Sequence, residues 1–145
     1  MRILAVDLGK ARTGLAICDE GEVLASPVRV ISEHNWNRLT SIIAQEAKTL
    51  SAGQIVIGLP RNMDGSEGES AQNARAFAEQ LKGLIPIPVD LWDERGTTIT
   101  AHGYLNDTDT RGKKRKAVID AVAATVILQD YLSFRKNTQK GGRLP

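Results

Sequence analysis

Carboxylates stand in this chain at places where a carboxylate is costly. Asp7 ends the apolar run of residues 3–6, and Asp93 and Glu94 follow directly on the run that closes at Trp92. Asp120 falls on the apolar stripe of the last helical pattern, in the i±3, i±4 and i+7 company of Ala117, Ala123, Ala124, Ile127 and Tyr131. An acid on a buried stripe needs a cation or a donor beside it. One at the carboxyl end of a first strand stands where open α/β sheets bind ligands. Each has an ordinary reading too, since strand-end aspartates often close turns. If one sheet edge gathers the acids, their mutual repulsion is relieved most cheaply by a divalent cation with oxygen ligands. Two such ions sharing a carboxylate would clamp a phosphodiester, activate a water and stabilise the leaving oxygen.

The remaining reactive residues are few. Cys18 is the single cysteine and cannot form an internal disulfide; with only His34 and His102 besides, a His/Cys zinc site is nearly excluded. Carboxylate chemistry with a hard cation needs no histidine base. The net charge of +2 is too small to select a partner, but Arg111, Lys113, Lys114, Arg115 and Lys116 lie within six positions. Such a run is often plain solvated surface. Beside an acidic cluster it also suits a nucleic acid, because the cations offset repulsion between phosphate and carboxylate.

These residues must be positioned by the elements between them. Residues 3–6 and 15–17 read as antiparallel strands around a tight turn with Gly9 and Gly14. Residues 23–31 follow as a third strand, and Pro27 suits it to an edge. The period then changes: Trp36, Leu39, Ile43, Ala47 and Leu50 predict an amphipathic helix over 35–50, stopped at Gly53. Residues 54–59 (QIVIGL) are wholly apolar, the mark of a strand buried on both faces. A polar loop turning at Asp64-Gly65 leads to a capping box of Ser66 and Glu69, then a helix with Ala71, Ala74, Phe77, Ala78 and Leu81 inward. Residues 84–92 are a second edge strand because of Pro86 and Pro88; a short helix over 97–105 and a long one over 115–134 complete the pattern. The expectation is one α/β domain over 1–135, a five-stranded mixed sheet (a three-strand meander, then βαβαβ-type crossovers) flanked by helices, with a flexible polar tail at 136–145. No run approaches the roughly 18 apolar residues of a membrane span. The first residues lack the pattern of a secretion signal, so the expected compartment is the cytoplasm. Trp36 and Trp92 sit in apolar periodic runs and read as core or strand residues rather than base-stacking platforms.

The strings VDLGKARTGLA, GLPRNMDGSEGESAQNARAFAEQL, WDERGTT and KKRKAVIDAVAATVIL, in this order from Met1 to about Tyr131, resemble the YqgF/RuvX family. These are Holliday-junction-resolvase-like nucleases of the ribonuclease H-like superfamily. The resemblance implies that Asp7, Glu94 and Asp120 are the catalytic, Mg2+- or Mn2+-holding acids, with Asp93 as an alternative or additional ligand. Strand alternation lets only one of Asp93 and Glu94 face Asp7. Gly96 departs from the family's usual large apolar residue and loosens the loop that aims Glu94. Arg12, Arg95, Lys113, Lys114, Arg115 and Lys116 are candidates for contact with nucleic acid, and the loop of Asn62, Asp64, Gly65 and Ser66 for lining the cleft.

The implied function is metal-dependent hydrolysis of structured nucleic acid, either processing of the pre-16S rRNA 5′ end or cleavage of branched four-way DNA. Junction cleavage would call for a homodimer so that two strands are cut. Two other classes stay in view. The basic run alone would serve a non-catalytic nucleic-acid-binding module. An Asp-x-Gly turn after a first strand also opens the phosphate-binding hairpin of the actin and sugar-kinase superfamily, which needs two lobes where this chain has room for one.

Overall fold

The computed structural model describes residues 1–60, 62, 64–93 and the helical backbone of 112–141, the side chains of that helix being described from 122 to 137. Five strands form one mixed sheet in the order β3-β2-β1-β4-β5. β1 (Arg2–Leu8), β2 (Thr13–Cys18) and β3 (Ala25–Ile31) are the antiparallel meander, while β4 (Ala52–Leu59) and β5 (Val89–Asp93) run parallel to β1. β3, which contains Pro27, and β5 are the edge strands. Expected over 84–92, β5 starts only at Val89, so Pro86 and Pro88 precede the strand instead of lying within it. At Pro27 the ladder also slips, Leu15 pairing with Arg29 and Ala16 with Pro27. The helix expected over 97–105 lies outside the described residues.

The sheet has two covered faces, and alternation along β1 and β4 decides what each receives. Leu4, Val6, Ile55 and Ile57 pack under α1 (Trp36–Thr49) and α2 (Glu69–Lys82), against Leu39, Ile43, Phe77 and Leu81. Ile3, Ala5 and Val56 pack on the other face against α3 (Gly112–Gly141), through Ala124, Leu128, Tyr131 and Leu132. α3 lies chiefly across β1, β2 and β3. No described helix is long and apolar enough to cross a membrane.

Several boundaries differ from the sequence reading for local reasons. Asn35 caps α1 by accepting from the Arg38 amide at 3.1 Å. The helix ends before Gly53 because Ser51 takes the left-handed turn, at φ 56°, and Gly53 already belongs to β4. The capping box of Ser66 and Glu69 does not form: Gly68 is the N-cap of α2, without a side-chain bond. The Ser66 hydroxyl instead donates to Asp64 at 2.6 Å and accepts from the Asn62 amide at 2.9 Å, closing the turn at Gly65. Glu67 is held by Arg75 through two bonds of 2.7 and 2.6 Å, which fixes the approach to α2. α3 continues to Gly141, so residues 136–141 of the expected tail are helical.

Polar contacts set the direction of α3. The Tyr131 hydroxyl accepts from the Gln54 amide at 2.6 Å and donates to Asp90 at 2.9 Å, tying the helix to the starts of β4 and β5. Burial, then the Asp90 carboxylate, push the Tyr131 phenol above its ordinary range. One turn on, Arg135 grips Glu22 of the β2–β3 turn at 2.8 and 3.3 Å. The helix therefore runs antiparallel to β1, and its N-terminal direction leads toward the sheet edge where β1 ends.

The Arg135 hydrogen bond holds the Glu22 carboxyl below the usual range. A carboxyl depressed on folding contributes stability above its unfolded pKa of about 4.3 and loses it as pH falls through the lower folded value. Arg135→Ala is expected to cost about 1 kcal/mol at pH 7, or roughly 3 °C in Tm. In melting curves taken against pH, the Tm gap between the native chain and Glu22→Gln should close below about pH 4. A gap unchanged down to pH 3 would show that the pair does not contribute in this way.

Candidate active site at the carboxyl edge of the sheet

Asp7 is one residue from the end of the central strand β1, and its parity with Ile3 and Ala5 turns it to the α3 face. It is half-buried. Its register neighbour on β2 is Gly14, and one step beyond the Val6–Ile57 pair its neighbour on β4 is Gly58. Both glycines are buried. The same row continues to Val30 on one side and Trp92 on the other. The carboxylate is thus flanked on its own face by two residues without a Cβ, in strands where every other neighbour contributes a side chain. Gly14 serves this row and not the turn to which its spacing assigns it. The turn belongs to Gly9, where a Cβ would collide with the Arg12 carbonyl oxygen. Arg12 stands half-buried at the foot of β2 and is engaged in interactions of its own.

Asp93 ends β5 in register with Leu59, two steps beyond the Val6–Ile57 pair that joins β1 to β4. Its parity is that of Val89 and Leu91, which pack toward α1 and α2, whereas Trp92 packs toward α3. Asp93 and Asp7 therefore reach the same edge but point to opposite faces, on backbones roughly 10 Å apart, two inter-strand spacings. Glu94 and Arg95 lie outside the described residues. Asp120, Lys113, Lys114, Arg115 and Lys116 belong to α3, but their side chains lie outside the described residues. Among the described residues no three His, Cys, Asp or Glu side chains form a metal-holding group. What they supply toward one is a single hard oxygen donor, Asp7, flanked in the ladder by two glycines and engaged in interactions of its own.

Two concavities stand out among the described residues. The larger, about 650 Å3, lies between α1 and the approach to β5 and is lined by Ala44, Gln45, Lys48, Leu84, Ile85 and Ile87, away from the acids. The smaller, about 340 Å3, opens at the tip of the β1–β2 hairpin between Leu8, Lys10, Trp36, Glu69, Ser70 and Asn73. Trp36 packs edge-on against Phe77 with ring centroids 5.2 Å apart, yet it is only half-buried and forms a wall of this cleft. Its helical periodicity signals only the inward part of that role. Trp92 behaves as expected, packing on Tyr131 and Phe134 at 5.6 and 5.0 Å.

A five-stranded mixed sheet with this strand order, an acid on the central strand and a long helix across that acid's face defines the ribonuclease H-like class of resolvases and nucleases. Among solved structures the fold is similar to Thermus thermophilus RuvC in complex with a Holliday junction substrate (TM-score 0.53, 14% identity, 95% of this chain and 98% of that one). It is also similar to the Fowlpox virus resolvase bound to Holliday junction DNA (TM-score 0.56, 11% identity, 93% and 99%). Within that class the chain belongs to the RuvX family, whose model, described as "RuvX: Holliday junction resolvase", matches residues 1–134. Relatives named "Putative pre-16S rRNA nuclease" include one from Pelotomaculum thermopropionicum, 40% identical over all of this chain and 96% of its own length. Another, from Anaeromyxobacter sp., is 42% identical over 93% of this chain and 98% of its own.

The glycine row makes a direct prediction. Gly58→Ala adds one methyl beside Asp7, and far-ultraviolet dichroism and a melting curve check that the variant is folded. Nuclease activity should fall by about tenfold or more, since displacing a catalytic group by a fraction of an ångström is costly. Full activity in a folded Gly58→Ala variant would show that the space beside Asp7 is not used.

Proposed function

We propose that this RuvX-family protein is a metal-dependent nuclease that hydrolyses phosphodiester bonds in structured nucleic acid, acting in the cytoplasm on the 5′ end of the pre-16S rRNA. The observation that carries the reading is Asp7, held half-buried on the central strand with a glycine on either side and the long helix across its face. Asp7, Glu94 and Asp120 are the proposed metal-holding acids. Glu94 is preferred to Asp93 because Asp93 shares the parity of Val89 and Leu91, and the next position in a continuing strand has the opposite parity. For Asp120 the support is axial. It lies eleven residues before Tyr131, or about 16 Å along the helix. Tyr131 is bonded to Gln54, and Gly58, beside Asp7, lies about 13 Å further along β4. The similar lengths support the reading, and Asp120 precedes the buried Ala124 by one turn.

A set of three carboxylates has the hard-oxygen character that Mg2+ or Mn2+ prefers, and a bound ion would supply a Lewis acid for the scissile phosphate and a more acidic water. The chain's own share is to hold the acids at fixed spacing, to leave room beside Asp7 for a phosphate, and to draw the polyanion in. Lys113, Lys114, Arg115 and Lys116 occupy the first turns of α3, which contain no acid. Four cations at the positive end of a helix dipole repel it and one another, a cost that a bound phosphate backbone offsets. Arg12 and Arg95 are proposed as further phosphate contacts.

The family description and the fold favour one second reading, cleavage of four-way DNA junctions by a homodimer. Both readings use the same acids and differ in substrate. The test is cleavage of an end-labelled precursor rRNA fragment and of a synthetic four-way junction, each with Mg2+, with Mn2+ and with EDTA. EDTA should abolish cleavage, and Asp7→Asn, Glu94→Gln and Asp120→Asn should each lower it by at least about a hundredfold. Asp93→Asn should lower it by less than about tenfold. Full metal-dependent activity in Asp7→Asn would sink the mechanism; preference for the junction would select the second substrate.

A further inference from the structure

We propose that the cleft at the hairpin tip binds one nucleotide of a single-stranded segment, next to the phosphodiester attacked at Asp7; this rests on the nuclease reading above. Leu8 and Asp7 are consecutive, so alternation sends their side chains to opposite faces at the end of the same strand. Asp7 faces α3, and Leu8 forms the floor of the cleft on the α1/α2 side. A chain of nucleotides crossing the exposed hairpin meets both.

The lining specifies the ligand. Trp36, half-buried, offers an aromatic surface of the kind on which single-stranded bases stack. Lys10 is exposed and in no ion pair among the described residues, so its charge is available to a backbone phosphate. Ser70 and Asn73, on the first turns of α2, carry donors and acceptors suited to a base edge or a sugar hydroxyl. Glu69 accepts hydrogen bonds only and repels phosphate. One carboxylate against one lysine suits a single phosphodiester with a neutral base and counts against a nucleoside triphosphate. At about 340 Å3 the cleft stands at the small end of ligand sites, enough for one nucleotide and too little for a base pair. A paired base, stacked on both sides, has no face to offer Trp36. The cleft therefore selects an unpaired nucleotide beside the cut, as at a precursor end or a loop.

The chain has two tryptophans, so Trp92→Phe leaves Trp36 as the sole indole reporter. In EDTA, where no cleavage occurs, titration with a single-stranded RNA hexamer should quench Trp36 saturably, and a blunt duplex of the same sequence should not. Lys10→Ala with Asn73→Ala should raise the hexamer Kd about tenfold. As a control on folding, polarisation of a labelled hexamer with the native chain and with Trp36→Leu should show a loss of similar size. Absence of quenching, equal quenching by the duplex, or an unchanged Kd in the double variant overturns the site. Because binding is read without metal, failure here with Asp7-dependent cleavage intact condemns the cleft alone. Quenching without any cleavage condemns the nuclease reading alone.

Discussion

The structure depends on a strand that is buried on both of its faces. From Ile3 to Val6 every residue of β1 is fully enclosed, odd positions under α3 and even positions under α1 and α2. Such a strand has no inexpensive position for a charge until it reaches its end, and that is where Asp7 is found. The same alternation that builds the core assigns the acid to one helix and the following Leu8 to the others. Core and candidate site are consequences of a single register.

That register also explains why small residues gather beside the acid. A side chain on Gly14 or Gly58 would stand next to Asp7 in the ladder, on the face where the phosphate is proposed to bind. Beyond Gly58 in the same row the face is instead filled by Trp92, packed on Tyr131 and Phe134, and the contacts of Tyr131 with Gln54 and Asp90 pin the helix to the starts of β4 and β5. α3 is anchored at the edge away from the acid and directed toward it, an arrangement that places the polar clamp and the proposed chemistry at opposite ends of one rigid element. The ion pair of Arg135 and Glu22 strengthens the anchored end.

The hairpin tip joins the two faces. Gly9 lets the chain turn directly over the Arg12 carbonyl, and the consecutive Asp7 and Leu8 face α3 and the Trp36 cleft respectively. The proposed contacts to nucleic acid come from the meander, from the starts of α1 and α2, and from the long helix. No one of these segments contains a complete binding surface.

Local physics made much of this legible in the residues alone. The change from alternating to helical period separated strands from helices, Pro27 marked an edge strand, Pro86 and Pro88 stood just before the other, and the costly acids named Asp7 as the first residue to watch. Local signals failed where a side chain found a nearer partner: Ser66 bonded Asp64 instead of capping α2, and Ser51 made the turn expected of Gly53. Parity within a strand can be counted along a sequence, but which parity meets which helix is decided by packing between distant segments. Only the assembled sheet could therefore turn Asp93 away from Asp7, set Gly14 and Gly58 on either side of that carboxylate, and bring Lys10, Trp36 and Asn73 around one cleft.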